Sequence, residues 1–205
     1  DQINHQNKLL LKHSARNQRE HRLAKTVFEK AMGASVKATT NLRHYQSAAS
    51  TFSGDIVLSA VSPSGGLYVL LADFTGHGLA SAIGGLPMSH IFYEAAEMGD
   101  GVGEIARKIN RALEEFLPDH MFAACTILEL NAAGSRVMIW TGGLPEMLHV
   151  SAEGILKDTI ASRNLALGFV EDVDFKRDLV VQDLEPDDKL YLYTDGVTEA
   201  RNPDG

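Results

Sequence analysis

Leu67-Tyr68-Val69-Leu70-Leu71-Ala72-Asp73-Phe74-Thr75-Gly76-His77-Gly78 carries an apolar run into an aspartate and then into a glycine-rich turn. Apolar residues are continuous over Leu67–Phe74 except at Asp73, which predicts a buried strand that ends on a carboxylate. Immediately upstream, Asp55–Val61 suits a strand and Ser62-Pro63-Ser64-Gly65-Gly66 is a turn cluster, so 55–61 and 67–73 are expected to form a hairpin. Asn41–Ser50 also suits a strand. Downstream, Ala80–Glu97 has helical spacing apart from Gly84, Gly85 and Pro87 near its start. Val102–Leu117 is a cleaner amphipathic helix, with Ile105, Ile109, Ala112, Leu113 and Phe116 on one face and Pro118 ending it. Short strands are expected at Met121–Leu130, Arg136–Thr141, Met147–Val150, Phe175–Val181 and Lys189–Thr194, with an irregular connection over 151–174. Strands, then two helices, then strands is not the alternation of a doubly wound parallel sheet. It predicts an α+β domain of antiparallel sheets covered by helices.

The chain has 205 residues, 19 Lys+Arg against 27 Asp+Glu, and a formal net charge of −8. That length fits one compact domain plus an appendage. The acidic balance argues against a dedicated nucleic-acid-binding module. No apolar run approaches the roughly 20 residues that span a bilayer, so no membrane anchor is expected. A single cysteine, Cys125, excludes an internal disulfide framework and a thiolate zinc cage, and a reducing, cytoplasmic compartment is the simpler reading. Charge divides the chain: residues 1–30 hold seven basic and three acidic residues, whereas the remainder holds 12 basic and 24 acidic ones. The first 32 residues lack Gly and Pro, and Ile3, Leu10, Asn17, Ala24 and Ala31 recur every seven residues, which predicts a helix with a thin heptad stripe. Three readings of that helix stand: packing on its own domain, a signalling linker that pairs with a second copy, or a basic nucleic-acid arm. The last lacks an aromatic stacking platform. A start at Asp1 and an end in the turn-like Asn202-Pro203-Asp204-Gly205 read as a fragment of a longer protein.

Three aspartates flank apolar strands beside glycine: Asp55 after Gly54, Asp73 before the Thr75–Gly78 turn, and Asp195 before Gly196. Carboxylates at strand ends are well placed to meet, and burying several together unpaired is costly. A divalent cation removes that cost, and an oxygen-only donor set favours Mg²⁺, Mn²⁺ or Ca²⁺ over zinc. Taken one at a time, an Asp before Gly is more often a turn former than a ligand; the case rests on three such sites in one domain.

Ala72-Asp73-Phe74-Thr75-Gly76-His77-Gly78-Leu79-Ala80-Ser81-Ala82 resembles the signature of bacterial SpoIIE-type phosphatases, a branch of the metal-dependent PPM (protein phosphatase 2C-like) serine/threonine phosphatases. Asp188-Lys189-Leu190-Tyr191-Leu192-Tyr193-Thr194-Asp195-Gly196-Val197-Thr198-Glu199-Ala200-Arg201-Asn202 resembles their late motif more closely still. Ser53-Gly54-Asp55 stands where the family has its first Gly-Asp, and Thr141–Pro145 and Leu165–Gly168 are weaker echoes. The resemblance implies a linker helix over 1–34 and a phosphatase domain over 35–205. It implies an α-β-β-α sandwich of two antiparallel sheets flanked by helices, holding two Mn²⁺ or Mg²⁺ ions. Asp73 would be the catalytic, ion-bridging ligand, the Phe74 carbonyl would add a donor, and Asp55 and Asp195 would each hold one ion. The implied reaction is hydrolysis of phosphoserine or phosphothreonine by a metal-activated water. The implied substrate is a small phosphorylated regulatory protein of the anti-sigma-factor antagonist type. An upstream receiver or sensory domain in the same chain would control activity, with residues 1–32 as the transmission element and a possible homodimer contact.

The chain departs from the family pattern in three places. Asp55 is followed by Ile56-Val57-Leu58-Ser59, without the second acid often found there. The family's further Asp, beyond the late motif, has no counterpart before Gly205. The Asn-Ala-Gly-His stretch of many relatives reads Trp140-Thr141-Gly142-Gly143. These departures keep a second reading open, a non-catalytic adaptor that retains the fold and binds a partner. Among the remaining residues, His77 is expected in a loop or helix start, and His5, His13 and His21 are expected in solvent. His120 and His149 have no evident partner, Cys125 is expected to be a small core residue, and Glu199 and Arg201 could pair across the turn after Asp195.

Overall fold

A computed structural model describes residues 54–76, 78–118 and 120–200, preceded by 41–46 and by positions 13, 16, 19, 22, 23 and 26. The expected hairpin is formed by β1 (Asp55–Val61) and β2 (Leu67–Phe74), which pair antiparallel. The Gly66 N–H donates to the Ser62 hydroxyl at 2.9 Å across the turn. The helical stretch that follows is two helices, α1 (Leu79–Ile83) and α2 (Gly85–Met98). They part at Gly84, whose α-carbon lies so close to the Phe74 ring that a β-carbon there would overlap it. Gly99, at φ 77°, ends α2 with its N–H on the Ala95 and Ala96 carbonyls, and α3 (Val102–Phe116) follows.

The rest of the chain supplies β3 (Ala123–Leu130), β4 (Arg136–Gly142), β5 (Met147–Val150), β6 (Leu156–Ile160), β7 (Leu179–Asp183), β8 (Lys189–Tyr191) and the short α4 (Asp195–Thr198). Two antiparallel sheets result, one ordered β1-β2-β3-β4-β7 and the other β6-β5-β8. This is the α+β architecture expected from the order of elements. Side chains alternate along β2. Tyr68, Leu70, Ala72 and Phe74 enter a core under α2 and α3 with Met88, Phe92, Ile105, Ile109 and Trp140, whereas Val69 joins a second core between the sheets with Leu128, Val137, Ile139, Met147 and Ile160. Burial on both faces explains the continuous apolar run. Cys125 is fully buried in the first core, and burial pushes its thiol pKa up. Among the described residues no helix is long and apolar enough to cross a membrane.

Several boundaries differ from the sequence expectation. The strand expected over 41–50 is absent from its described part, Asn41–Gln46. The strand expected at 175–181 is β7 instead, because the preceding residues are held elsewhere. Phe175 stacks on Trp140 with ring centroids 5.7 Å apart, the Lys176 carbonyl accepts the Trp140 indole N–H at 3.4 Å, and Arg177 pairs with Glu104 at 2.8 Å. The stretch 151–174 is less irregular than expected, since it contains β6 and a 3₁₀ turn at Asp172–Asp174. β6 leaves four of its five residues exposed, so it carries no alternating signal. β8 stops at Tyr191, three residues short of expectation. The heptad positions Ile3, Leu10, Asn17, Ala24 and Ala31, together with His5, His21, His77 and Arg201, lie outside the described residues. The described positions before residue 27 are helical and exposed, His13 among them.

His149 does have a partner. Its Nε2 lies 2.8 Å from Asp188 Oδ2, and both side chains are only 2% exposed. The same Asp188 oxygen accepts the Glu185 backbone N–H at 3.0 Å and Lys157 Nζ at 3.0 Å. The Glu185 N–H first, and then His149, hold the Asp188 carboxyl down at about 2. This cluster fixes the turn that launches β8 toward Asp195. Because the folded-state pKa lies below the unfolded one, the carboxylate stabilises the fold above about pH 4, and the contribution is lost as pH falls toward 2. Asp188→Asn is therefore expected to lower the melting temperature by several degrees at pH 7, and the gap from wild type should close by pH 2, as read by circular dichroism melts.

Candidate metal centre

The β1–β2 register sets Asp55 directly opposite Asp73. Both occupy positions that alternate away from the helix-side core, so they share the face turned to the second sheet. The third carboxylate comes from that second sheet: the chain leaves β8, runs through Leu192–Thr194, and enters α4 at Asp195. The three meet, close enough for Asp55 and Asp195 both to act on the Asp73 carboxyl. Partial burial, and then the charges of Asp55 and Asp195, push Asp73 up to about 7. Among the described residues no three acidic, His or Cys side chains stand as a preformed cage for an ion.

The turn after Asp73 is fixed by several backbone contacts. Thr75 N–H donates to the Phe122 carbonyl at 3.0 Å, and Phe122 N–H returns to the Thr75 hydroxyl at 3.2 Å. The Ser81 hydroxyl donates to the Thr75 carbonyl at 3.0 Å. Gly76 and Gly78 adopt φ of 84° and 87°, which a side chain would disfavour. The strand ends are tied as well, by Phe74 N–H to the Gly54 carbonyl at 3.2 Å and Gln46 Nε2 to the Asp55 carbonyl at 2.9 Å. On the inner side of Asp55 lies a cavity of about 660 Å³, bordered by Val57, Leu71, Thr194 and Gly196.

The donor chemistry at this corner suits a hard divalent cation. A β-carbon on Gly54 would lie 2.9 Å from the Phe74 carbonyl oxygen and 3.5 Å from both Asp73 Oδ1 and the Gly76 carbonyl oxygen. Glycine thus lets three oxygens converge closely on its α-carbon, next to two further carboxylates, with no nitrogen or sulfur donor among them. Asp55, Asp73, Phe74 and Asp195, singled out from the sequence, all fall at this corner. The Gly76 carbonyl was not singled out. Its only sequence signal is the glycine that lets the turn fold back on Gly54. His120 is exposed in the turn before β3.

The fold places the molecule in a class. The PP2C phosphatase domain of SpoIIE from Bacillus subtilis superposes with a TM-score of 0.59 at 16% identity, over 74% of this chain and 44% of that one. RsbX in complex with magnesium superposes at 0.58 and 17% identity, over 74% of this chain and 69% of that one. The architecture is therefore PP2C-like. The family model described as Stage II sporulation protein E (SpoIIE) matches residues 63–205, and the chain belongs to that family. The phosphoserine phosphatase RsbU of Bacillus subtilis (strain 168) is 24% identical over 137 residues, which is 67% of this chain and 40% of RsbU. The chain spans about two fifths of the length of that relative.

Two outcomes follow from this geometry. Gly54→Ala should weaken Mn²⁺ binding by at least about tenfold in calorimetric titration and also lower the melting temperature, because the methyl group crowds the Phe74 carbonyl oxygen and forces the backbone there to shift. Asp73→Asn should stabilise the metal-free domain at pH 8. The folded pKa of Asp73 lies above its unfolded value, so its charge burdens the fold increasingly as pH rises from about 4 through 7. Melting curves of wild type and variant should diverge across that window and coincide below it.

Proposed function

We propose that the domain is a metal-dependent protein serine/threonine phosphatase that acts on phosphoserine or phosphothreonine of a small regulatory protein. The observation that carries this reading is the meeting of Asp55, Asp73 and Asp195 at the oxygen-lined corner beside Gly54. Membership of the SpoIIE family, and the phosphoserine phosphatase activity named for RsbU, support it. Asp73, with a carboxylate on either side, would bridge two Mn²⁺ or Mg²⁺ ions, and Asp55 and Asp195 would each hold one, with the Phe74 carbonyl as a further donor. When bound, such ions lower the pKa of a water and neutralise charge on the phosphoryl oxygens. The chain's own part is to set the carboxylates from two sheets at one corner, and to hold the Thr75–Gly78 turn so that backbone carbonyls face that corner. An anti-sigma-factor antagonist as substrate, an upstream input domain, and transmission through a helix at residues 1–34 complete the proposal.

One observation favours a second reading, a partner-binding adaptor. Leu58 stands where relatives often carry a further acid, and it is fully buried in the helix-side core. The same position on β1 therefore gives packing and no ligand. The two readings part in a single assay. With a phosphoserine peptide and millimolar Mn²⁺, the enzyme reading expects turnover that chelator abolishes and that Asp73→Asn or Asp195→Asn lowers by at least about a thousandfold. Rates equal in wild type and both variants would overturn it in favour of the adaptor.

A further inference from the structure

We propose that the groove between residues 162–165 and 170–176 binds an acidic stretch of the protein substrate, beside the residue that is dephosphorylated. The inference takes its ligand class from the phosphatase reading, but its physical basis is separate. Six of the basic side chains in the described domain hold ion pairs: Arg107, Lys108, Arg111, Arg136, Lys157 and Arg177. Arg163, Lys176 and Lys189 hold none among the described residues. Two of these three, Arg163 and Lys176, are exposed and line the same cavity of about 380 Å³. One acid, Asp174, lines it with them, and Leu165, 57% exposed, gives it an apolar wall.

The groove is preformed. Asn164 bridges its walls, donating from Nδ2 to the Thr141 carbonyl at 3.1 Å and the Asp178 carbonyl at 3.0 Å, while its Oδ1 accepts the Asp178 N–H at 3.2 Å. The far wall is held by Phe175 on Trp140 and by the Trp140 indole on the Lys176 carbonyl. Its near end lies toward the candidate centre. Ser162 accepts the Gly143 N–H at 2.7 Å, and a β-carbon on Gly143 would lie 3.2 Å from the β-carbon of Ala124, which faces Asp73 in the β2–β3 register. Three such steps, Asp73 to Ala124, Ala124 to Gly143 and Gly143 to Ser162, thus put the near end of the groove on the order of 15 Å from Asp73. About four or five extended residues cover that span.

Charge argues for an acidic occupant. Residues 31–205 carry twice as many acids as bases, so an acidic partner is repelled by most of that surface, and among the described residues 54–200 it finds two cations without an ion pair lining one cavity here. A nucleic acid would want exposed aromatic faces, and the groove's one aromatic ring is stacked against Trp140.

The test uses the full chain without added metal, and fluorescence anisotropy of two labelled phosphoserine peptides. One has Glu about four and five residues from the phosphoserine, and the other has Ala there. Wild type should bind the acidic peptide at least about tenfold more tightly. The doubly substituted Arg163→Glu/Lys176→Glu chain should lose that preference, Arg163→Ala should lose part of it, and Asp174→Asn should strengthen acidic-peptide binding about two- to fivefold. Equal affinity for the two peptides in wild type overturns the proposal. So does a preference that survives the double substitution in a chain with an unchanged melting temperature, or displacement of the acidic peptide by a single-stranded oligonucleotide with equal affinity. Mn²⁺-dependent hydrolysis of p-nitrophenyl phosphate, which does not reach the groove, reads the phosphatase reading on its own and should be unchanged by the double substitution. If it is absent while the acidic preference holds, the groove stands and the enzyme reading fails.

Discussion

Three carboxylates brought to one corner of a sandwich repel one another, and this repulsion is the constraint around which the domain is built. Two of them, Asp55 and Asp73, are forced together by an antiparallel register that also aligns six apolar or small pairs behind them. The third, Asp195, arrives from the opposite sheet on a segment launched by the Asp188–His149–Lys157 cluster. A free carboxylate cluster would part if its supports were soft. Asp55 and Asp73 are held by the β1–β2 ladder and the buried side chains behind it, whereas Asp195 stands at the start of a short exposed helix tied back by the Thr194 and Asp195 carbonyls. The consequence is a high proton affinity at Asp73, and that affinity marks a place where a small hard cation is welcome.

The same rigidity extends sideways along the sheet end. Asn110 is fully buried on α3, and its amide accepts the Gly168 N–H at 2.8 Å and donates to the Val170 carbonyl at 2.8 Å. Arg107, one turn earlier, pairs with Asp172. The connection that follows β6 is thus pinned to a helix on one side, and to the end of β3 on the other through the reciprocal Ala123–Leu167 bonds of 2.9 and 2.8 Å. A loop so fastened can present side chains beside the carboxylate corner at defined positions, which is what recognition of a protein substrate requires.

Much of this was legible in the sequence, for identifiable reasons. β1, β2 and α3 were readable because their periodicity or continuity reports burial directly. The hairpin turn was readable because Ser-Pro-Ser-Gly-Gly has few other uses. The three aspartates could be selected because each interrupts or bounds an apolar run. β6 could not be read, because an edge strand that buries only Ile160 has no pattern to show. The placement of β7 was missed because Phe175 looks like a strand residue locally but is claimed by Trp140 across the fold. The His149–Asp188 pair, 39 residues apart, was invisible for the same reason: no local rule links β5 to the turn before β8. The Gly76 carbonyl was missed because a backbone oxygen has no sequence letter of its own.

The most direct measurement is the anomalous diffraction signal of Mn²⁺ soaked into crystals of the chain at neutral pH. The account predicts an anomalous peak at the Gly54 corner, with oxygens of Asp73, Asp195 or Asp55 and the Phe74 carbonyl within about 2.0–2.6 Å, the range of hard-cation–oxygen ligation. Manganese bound elsewhere, with the three carboxyl groups free of metal, would contradict it.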